Sequence, residues 1–140
     1  MQIKPFDLPF RLGWAVWITL ACSAAHLTHN VMFFHLYPEP SWLNARLLDV
    51  WSVFACVALV AGYFAWQRKS RCIGMACMLV FWLSSLSVVM HYKYEGAANM
   101  SLLMHALVWL EFIPTLWLGY ELARAWRATS QSSWHASRSI

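Results

Sequence analysis

The sequence is poor in charge. Only 11% of its 140 residues are Asp, Glu, Lys or Arg, and six of these are acidic, whereas a soluble domain carries roughly 25% charged residues. The chain therefore lacks the charges that would cover a water-exposed surface. Its five glycines and five prolines are also too few for a collagen-like chain or for a disordered chain rich in these residues.

Several functional motifs are missing as well. The sequence has no basic stripe with interleaved stacking aromatics on a polar segment, which argues against nucleic acid as a partner. Cys72 and Cys77 are too far apart for the C-x-x-C of a redox or zinc motif. A phosphate-binding P-loop and a nucleophile elbow are also absent. These absences exclude the soluble enzyme classes that such motifs identify.

Apolar residues are abundant, at 61% of the chain. A bilayer core of roughly 30 Å requires about 20 helical residues at 1.5 Å each. Four stretches are suitable or nearly so, at residues 12–34, 50–66, 73–90 and 102–120. The sequence therefore predicts an all-α integral membrane protein, with a four-transmembrane-helix bundle of two antiparallel hairpins in residues 1–127. Residues 128–140 are predicted to be a polar cytoplasmic tail.

The basic residues predict an orientation. Eight of the ten Lys and Arg residues precede the first span, fill the turn at 68–71, or follow the fourth span, and only Arg46 and Lys93 fall on the other side. Because cytoplasmic loops carry the excess of Lys and Arg, both termini are expected in the cytoplasm. Small residues at 21–25 also fit signal-peptide cleavage, but the apolar stretch continues to Phe34 and favours a retained helix. We expect a multi-pass protein of the bacterial inner membrane.

Each predicted span has a polar face, because successive helical residues turn by about 100°. Polar faces in a membrane bundle turn toward one another, since lipid offers no hydrogen-bond partners. The four sets are Thr19, Cys22, His26, His29 and Asn30; Asp49, Ser52, Cys56 and Tyr63; Ser84, Ser87 and His91; and Met104, Glu111 and Thr115.

Five of the six histidines lie in or beside the outer half of the predicted membrane domain. Ionisable groups are costly in the hydrocarbon region, so such a cluster is a functional hypothesis in itself. Imidazole and carboxylate groups suit copper, zinc or iron. The leading hypothesis is therefore a transition-metal binding or handling site that opens outward, with ligands His26, His29, His91, His105 and Asp49.

A membrane-embedded enzyme is the first alternative. Glu111 and His105 would then be catalytic, transferring protons to or from a lipid, isoprenoid or quinone-like substrate.

Haem b, held by one histidine from the first span and one from the third or fourth, is a weaker alternative. The small residues that would flank a porphyrin lie toward the inner end of the spans, away from these histidines.

A proton-coupled carrier or an accessory subunit is the remaining alternative. Four helices are few for a carrier, which suggests a homodimer or a partner membrane subunit, with Glu111 as the coupling carboxylate. The sequence leaves open whether the protein is an enzyme. Its expected surroundings are the lipid bilayer and a hydrophobic small molecule, with no nucleic acid.

Overall fold

The computed structural model describes residues 7–137, and this part of the chain is all-helical, with no strand. The predicted all-α architecture is confirmed there. Four long helices form an antiparallel bundle: α1 (Asp7–Met32), α2 (Ala45–Gln67), α3 (Arg71–Leu86) and α4 (Leu102–Ser137).

The connections differ at the two ends of the bundle. One end, here called the two-loop end, carries the loop 33–44 between α1 and α2 and the segment 87–101 between α3 and α4. The other end, the single-turn end, has the short turn 68–70 between α2 and α3. Asn44 begins α2 by accepting a hydrogen bond from the Leu47 amide at 2.9 Å, a standard N-terminal cap.

Two helix ends differ from the sequence expectation. The predicted third span, 73–90, changes from α-helix to a 3-10 helix over Ser87–Lys93. A 3-10 helix turns by three residues per turn, so the residues beyond Ser87 shift to another face. The segment predicted as a polar tail, 128–140, begins inside α4, which continues to Ser137. Ala, Arg and Gln residues in this segment are good helix formers.

Helix α1 packs mainly against α4, and α2 packs mainly against α3. Gly62 and Gly74 lie where α2 and α3 are closest. A Cβ atom on Gly74 would lie 2.5 Å from the Trp66 backbone nitrogen and 2.6 Å from the Gly62 carbonyl oxygen. Only the missing side chain permits this approach, as in the small-residue contacts of membrane helices.

The apolar interior has two parts. The larger cluster includes Leu12, Leu59, Met78, Phe81 and Leu118, and it fills the half of the bundle near the single-turn end. A smaller cluster at the two-loop end contains Tyr37, Val88, Met100, Met104 and Val108. Buried polar residues concentrate between α1 and α4 where the larger cluster ends. The larger apolar cluster therefore borders this polar region on the side of the single-turn end.

Three helices are long and apolar enough to cross a membrane, namely Ala45–Gln67, Arg71–Lys93 and Leu102–Thr129. Large apolar side chains on their outer faces are exposed, including Val50, Ile73 and Ile113. Exposed apolar surface of this extent suits contact with lipid. The four-helix bundle is therefore consistent with an integral membrane protein. Helix α1 as a fourth span remains a prediction, because polar residues interrupt its apolar character.

Candidate functional site

Helix α1 supplies the polar face of the site. Thr19, Ser23, His26 and Asn30 are spaced by four, three and four residues, and all four side chains are buried. This spacing places them on one face of a helix. The polar face predicted for the first span is confirmed for Thr19, His26 and Asn30, while Cys22 and His29 are only half-buried.

His26 and Glu111 form the central contact of the site. The Nδ1 atom of His26 lies 2.5 Å from Oε2 of Glu111, and the two side chains are 2% and 3% exposed. An ionised carboxylate can only accept hydrogen bonds, so with Glu111 ionised the proton of His26 lies on Nδ1 and Nε2 is an acceptor. The same arrangement orients the histidine in serine-protease triads and in many metal sites.

Neighbouring side chains fix the part of α4 that carries Glu111. The Thr115 hydroxyl donates to the Glu111 carbonyl at 2.8 Å, and the Thr19 hydroxyl donates to the Pro114 carbonyl at 3.0 Å. From α3, the Trp82 indole N–H donates to the Thr115 carbonyl at 3.0 Å. These bonds join α1, α3 and α4 around Pro114, where the helix lacks one backbone donor. The α4 backbone that follows Glu111 is therefore held by hydrogen bonds from α1 and α3.

Three polar atoms of the site are buried without a hydrogen-bond partner among the described residues. They are Oγ of Ser23 and, closer to the two-loop end, Nε2 of His26 and Oδ1 of Asn30. The amide nitrogen of Asn30 donates to Oε1 of Glu39 at 2.9 Å, and this bond to a carboxylate fixes which way the amide points. A buried polar atom without a partner costs about 1–3 kcal/mol. Two such atoms one helical turn apart indicate a place where a ligand can bind.

The loop 33–44 covers the site at the two-loop end. Its residues Tyr37 and Pro38 are buried. Oε1 of Glu39 lies 3.4 Å from Nδ1 of His91, and the Pro38 carbonyl lies 3.5 Å from the same nitrogen. Pro38 and Pro40 restrict the backbone on either side of Glu39. The loop therefore carries Glu39 inward onto α1 and onto the segment that follows α3.

Aromatic rings enclose the buried histidine. The ring centre of His26 is 5.6 Å from that of His91 and 5.7 Å from that of Tyr37, while Tyr37 and His91 are 5.2 Å apart. His29 joins this group from its edge, because its Nδ1 is 2.9 Å from the Tyr37 hydroxyl. The rings of Tyr37 and His91 therefore pack beside the His26 ring on the side of the covering loop.

Burial changes the acidity of two groups in the covering loop. It raises the pKa of Tyr37 to about 12, and the nearby carboxylates Glu39 and Glu111 act in the same direction. Burial also raises the pKa of Glu39 above its ordinary value, although the hydrogen bond from Asn30 and the proximity of His26 oppose this. Burial disfavours a charged form that has lost its water. Tyr37 is therefore a neutral phenol at physiological pH.

A cavity of about 310 Å³ adjoins the pair and is here called the His26 cavity. This volume is at the lower end of the range typical of small-molecule sites. Its lining includes apolar groups from the loop and helices together with polar side chains, which are His26, Asn30, Glu39, Ser84, Ser87, His91, Tyr94 and Glu111. A second cavity of about 520 Å³ lies between the two loops, where His29, His35 and Glu95 contribute to its lining.

The structure separates the residues proposed as metal ligands. It brings His26 and His91 together and leaves His29 one ring away, behind Tyr37. His105 instead stacks on Tyr92, with its Nδ1 3.0 Å from the Tyr92 hydroxyl. Asp49 is exposed on α2. Within residues 7–137, no group of three or more His, Cys, Asp or Glu side chains could hold a metal ion.

The two residues proposed as catalytic, Glu111 and His105, do not contact each other, because each contacts a different residue. Glu111 contacts His26, and His105 contacts Tyr92 on the outside of the bundle. The two lie six positions apart on α4, which turns their side chains toward different sides of the helix. The available acid–base pair is therefore Glu111 with His26.

Sequence reasoning missed three residues that the fold makes important. Tyr37 and Glu39 belong to a Tyr-Pro-Glu-Pro turn whose rigidity is visible in the sequence, but its inward direction is not. Glu121 is 1% exposed near the single-turn end, where both its carboxylate oxygens accept from Arg124, at 3.0 and 2.8 Å. The Glu-x-x-Arg spacing on one helix was the available signal for that pair.

No protein-family model, curated protein or solved structure matches this chain. Function is therefore inferred from the chemistry of the site. The His26–Glu111 pair can accept a proton at Nε2 and return it, because the carboxylate stabilises the imidazolium that forms. Nε2 can equally donate its lone pair to a metal.

Proposed function

We propose that the protein is a membrane enzyme in which His26, held by Glu111, transfers a proton to and from a small amphiphilic substrate of the lipid, isoprenoid or quinone class. His26 is the base, and Glu111 orients the ring and stabilises its charged form. The substrate lies in the His26 cavity with the carbon that loses its proton next to Nε2 and with its polar end toward Asn30. The reaction is a proton removal and return, as in the migration of a double bond.

The observation that carries this proposal is the buried pair with one unused ring nitrogen. His26 Nδ1 lies 2.5 Å from Glu111, and Nε2 is buried without a partner among the described residues. A histidine that served only to join helices would satisfy both nitrogens, since an orphaned polar atom is costly in the interior. In the proposed reaction the unused lone pair on Nε2 is the base that takes the proton from the substrate.

The lining of the cavity supports an amphiphilic substrate. Apolar residues, including Leu48, Val88 and Met90, line it together with the polar groups around His26. Most small-molecule sites combine an apolar wall with a few convergent polar groups. A membrane substrate can reach such a site through the bilayer and keep its apolar part among these side chains.

The experiment is deuterium labelling of membrane lipids. Membranes containing the wild-type protein or the His26→Gln variant are incubated in D₂O, and the extracted lipids are examined by mass spectrometry for carbon-bound deuterium. A lipid labelled only with the wild type is expected, because the proton returned by His26 comes from solvent. His35→Gln is the matched control, since His35 is exposed. Equal labelling with wild type and His26→Gln would contradict the proposal.

A metal-handling role is the second candidate, favoured by one observation. Histidines that bind metals almost always donate their other ring N–H to a carboxylate or carbonyl, and His26 donates to Glu111 in this way. His91 is the nearest second histidine, and further ligands would come from the substrate side or from a partner. Copper, zinc or iron bound stoichiometrically to protein purified without a histidine tag, and lost in His26→Gln, would favour this role. An intense Soret absorption would indicate haem b.

We also propose that α1 is the fourth span and that both termini lie in the cytoplasm of a bacterial cell. The exposed cations Arg11, Arg68, Lys69, Arg71 and Arg127 support this orientation, because all lie at the single-turn end. The test is a reporter fused to each terminus. Green fluorescence without alkaline phosphatase activity is expected from both termini, and periplasmic phosphatase activity from either would overturn the topology.

A further inference from the structure

The His26 cavity is lined by hydrogen-bond acceptors. His26 Nε2 and Asn30 Oδ1 are both buried and have no partner among the described residues. They belong to residues four apart on α1, whose Cβ atoms lie about 5–6 Å apart in a helix. A head group that donates to Asn30 Oδ1 therefore lies about one helical turn from the base at His26 Nε2.

Other polar groups in the lining have already used their protons. The Ser84 hydroxyl donates to the Val80 carbonyl at 2.8 Å, and the Ser87 hydroxyl donates to the Ser84 carbonyl at 2.6 Å. Both hydroxyls can therefore offer only lone pairs to a ligand. His91 directs Nδ1 toward Glu39 and the Pro38 carbonyl, and its Nε2 already faces the Asn30 amide nitrogen at 3.5 Å, so His91 has no proton left to offer a ligand.

The charge of the lining agrees with its hydrogen bonding. Glu39 and Glu111 contribute carboxylates to the cavity, and no Lys or Arg occurs among its described lining residues. The donors left in the lining are the Tyr94 hydroxyl and the indole of Trp42, which is 71% exposed. An anionic head group in this cavity would meet lone pairs and carboxylates and lose its hydration.

We infer that the natural ligand of the His26 cavity carries an uncharged or cationic head group that donates hydrogen bonds, a hydroxyl or a protonated amine, and that the cavity rejects anionic head groups. The inference deepens the proposed function, because it describes the substrate of the same site. It rests on the two unpartnered acceptors, on the internally bonded serines and on the two carboxylates.

The test is the binding of four probes, each built on a straight chain of six carbons, to the protein in nanodiscs. The probes are hexylamine, 1-hexanol, hexyl methyl ether and hexanoate, and binding is measured by calorimetry with empty nanodiscs as the reference. We expect hexylamine or 1-hexanol to bind with a Kd at least ten times lower than that of the ether and of hexanoate. The better of the two donors identifies the head group. No binding, equal binding of the four probes, or tightest binding of hexanoate would overturn the inference.

Two variants check that the preference arises in this cavity. Asn30→Leu removes an acceptor and is expected to reduce the advantage of the donor probe over the ether to threefold or less. Should that variant not fold, Ser87→Ala removes an exposed lining hydroxyl and is expected to reduce the same ratio at least twofold. Ser52→Ala is the matched control, because Ser52 is buried but lines a different cavity. Equal donor preference in the wild type and in the folded lining variants would contradict the assignment.

The outcome is distinguishable from that of the proposed function. Donor-selective binding together with lipid labelling that does not depend on His26 would refute proton transfer and leave this inference standing. Labelling that depends on His26, together with probes that bind without head-group preference, would refute the inference alone.

Discussion

Replacement of Glu111 tests the central contact of the site most directly. In Glu111→Leu, His26 Nδ1 loses the carboxylate that lies 2.5 Å away, and both ring nitrogens are then buried without partners. Removing one member of a buried pair typically costs about 3–5 kcal/mol. Hydrogen bonds between membrane helices reach about 1.7 kcal/mol, and charge-assisted bonds are roughly twice as strong as neutral ones. We therefore expect Glu111→Leu to lower the free energy of unfolding by about 3 kcal/mol.

The double variant separates this pair from general damage to the core. His26→Leu alone leaves the Glu111 carboxylate buried without its partner, so a similar loss of about 3 kcal/mol is expected. Replacing both residues removes both orphaned groups and fills their space with apolar atoms. We expect the double variant to lose no more stability than the worse single variant, a coupling of about 3 kcal/mol.

The assay is equilibrium unfolding of the purified protein in mixed micelles with increasing dodecyl sulfate. Ser52→Ala is the matched control, because the Ser52 hydroxyl is buried but donates within its own helix, to the Leu48 carbonyl at 2.6 Å. Its effect should add to that of Glu111→Leu. Additive losses for His26→Leu and Glu111→Leu, within about 0.5 kcal/mol, would refute the coupled pair.

Two further predictions concern the helix contact and the covering loop. Gly74→Ala should lower the free energy of unfolding by about 1–3 kcal/mol despite the helix preference of Ala, because the new Cβ would lie 2.5 Å from the Trp66 backbone nitrogen. The control is Ala76→Gly at an exposed position of the same helix, which should cost about 1 kcal/mol or less. A Gly74→Ala variant as stable as the wild type would contradict the close contact. Because burial raises the pKa of Tyr37 from 10.0 to about 12, the folded state binds its phenolic proton more tightly than the unfolded state, and stability should fall as pH rises through this range. Tyr37→Phe should flatten that fall in unfolding midpoints measured against pH, and an unchanged slope would contradict it.

Helical periodicity predicted much of the site because the buried polar residues lie on continuous helices. Thr19, His26 and Asn30 on α1 and Glu111 and Thr115 on α4 were predicted to face inward, and all five are buried. Ser87 is exposed, but it lines the His26 cavity together with Ser84 and His91, the other two members of its predicted face. The buried serine of α3 is Ser85, which the predicted face did not include.

The sequence by itself determined the helical class and the apolar segments, because composition and periodicity are local properties of the chain. Only the tertiary structure decided the partners. It joined His26 to Glu111 across 85 positions of sequence, carried Glu39 inward on a proline-bordered turn, and left His105 beside Tyr92. Which groups meet depends on the rotation of each helix and the path of each loop. Those are fixed by contacts such as Gly62 with Gly74, which no single segment contains.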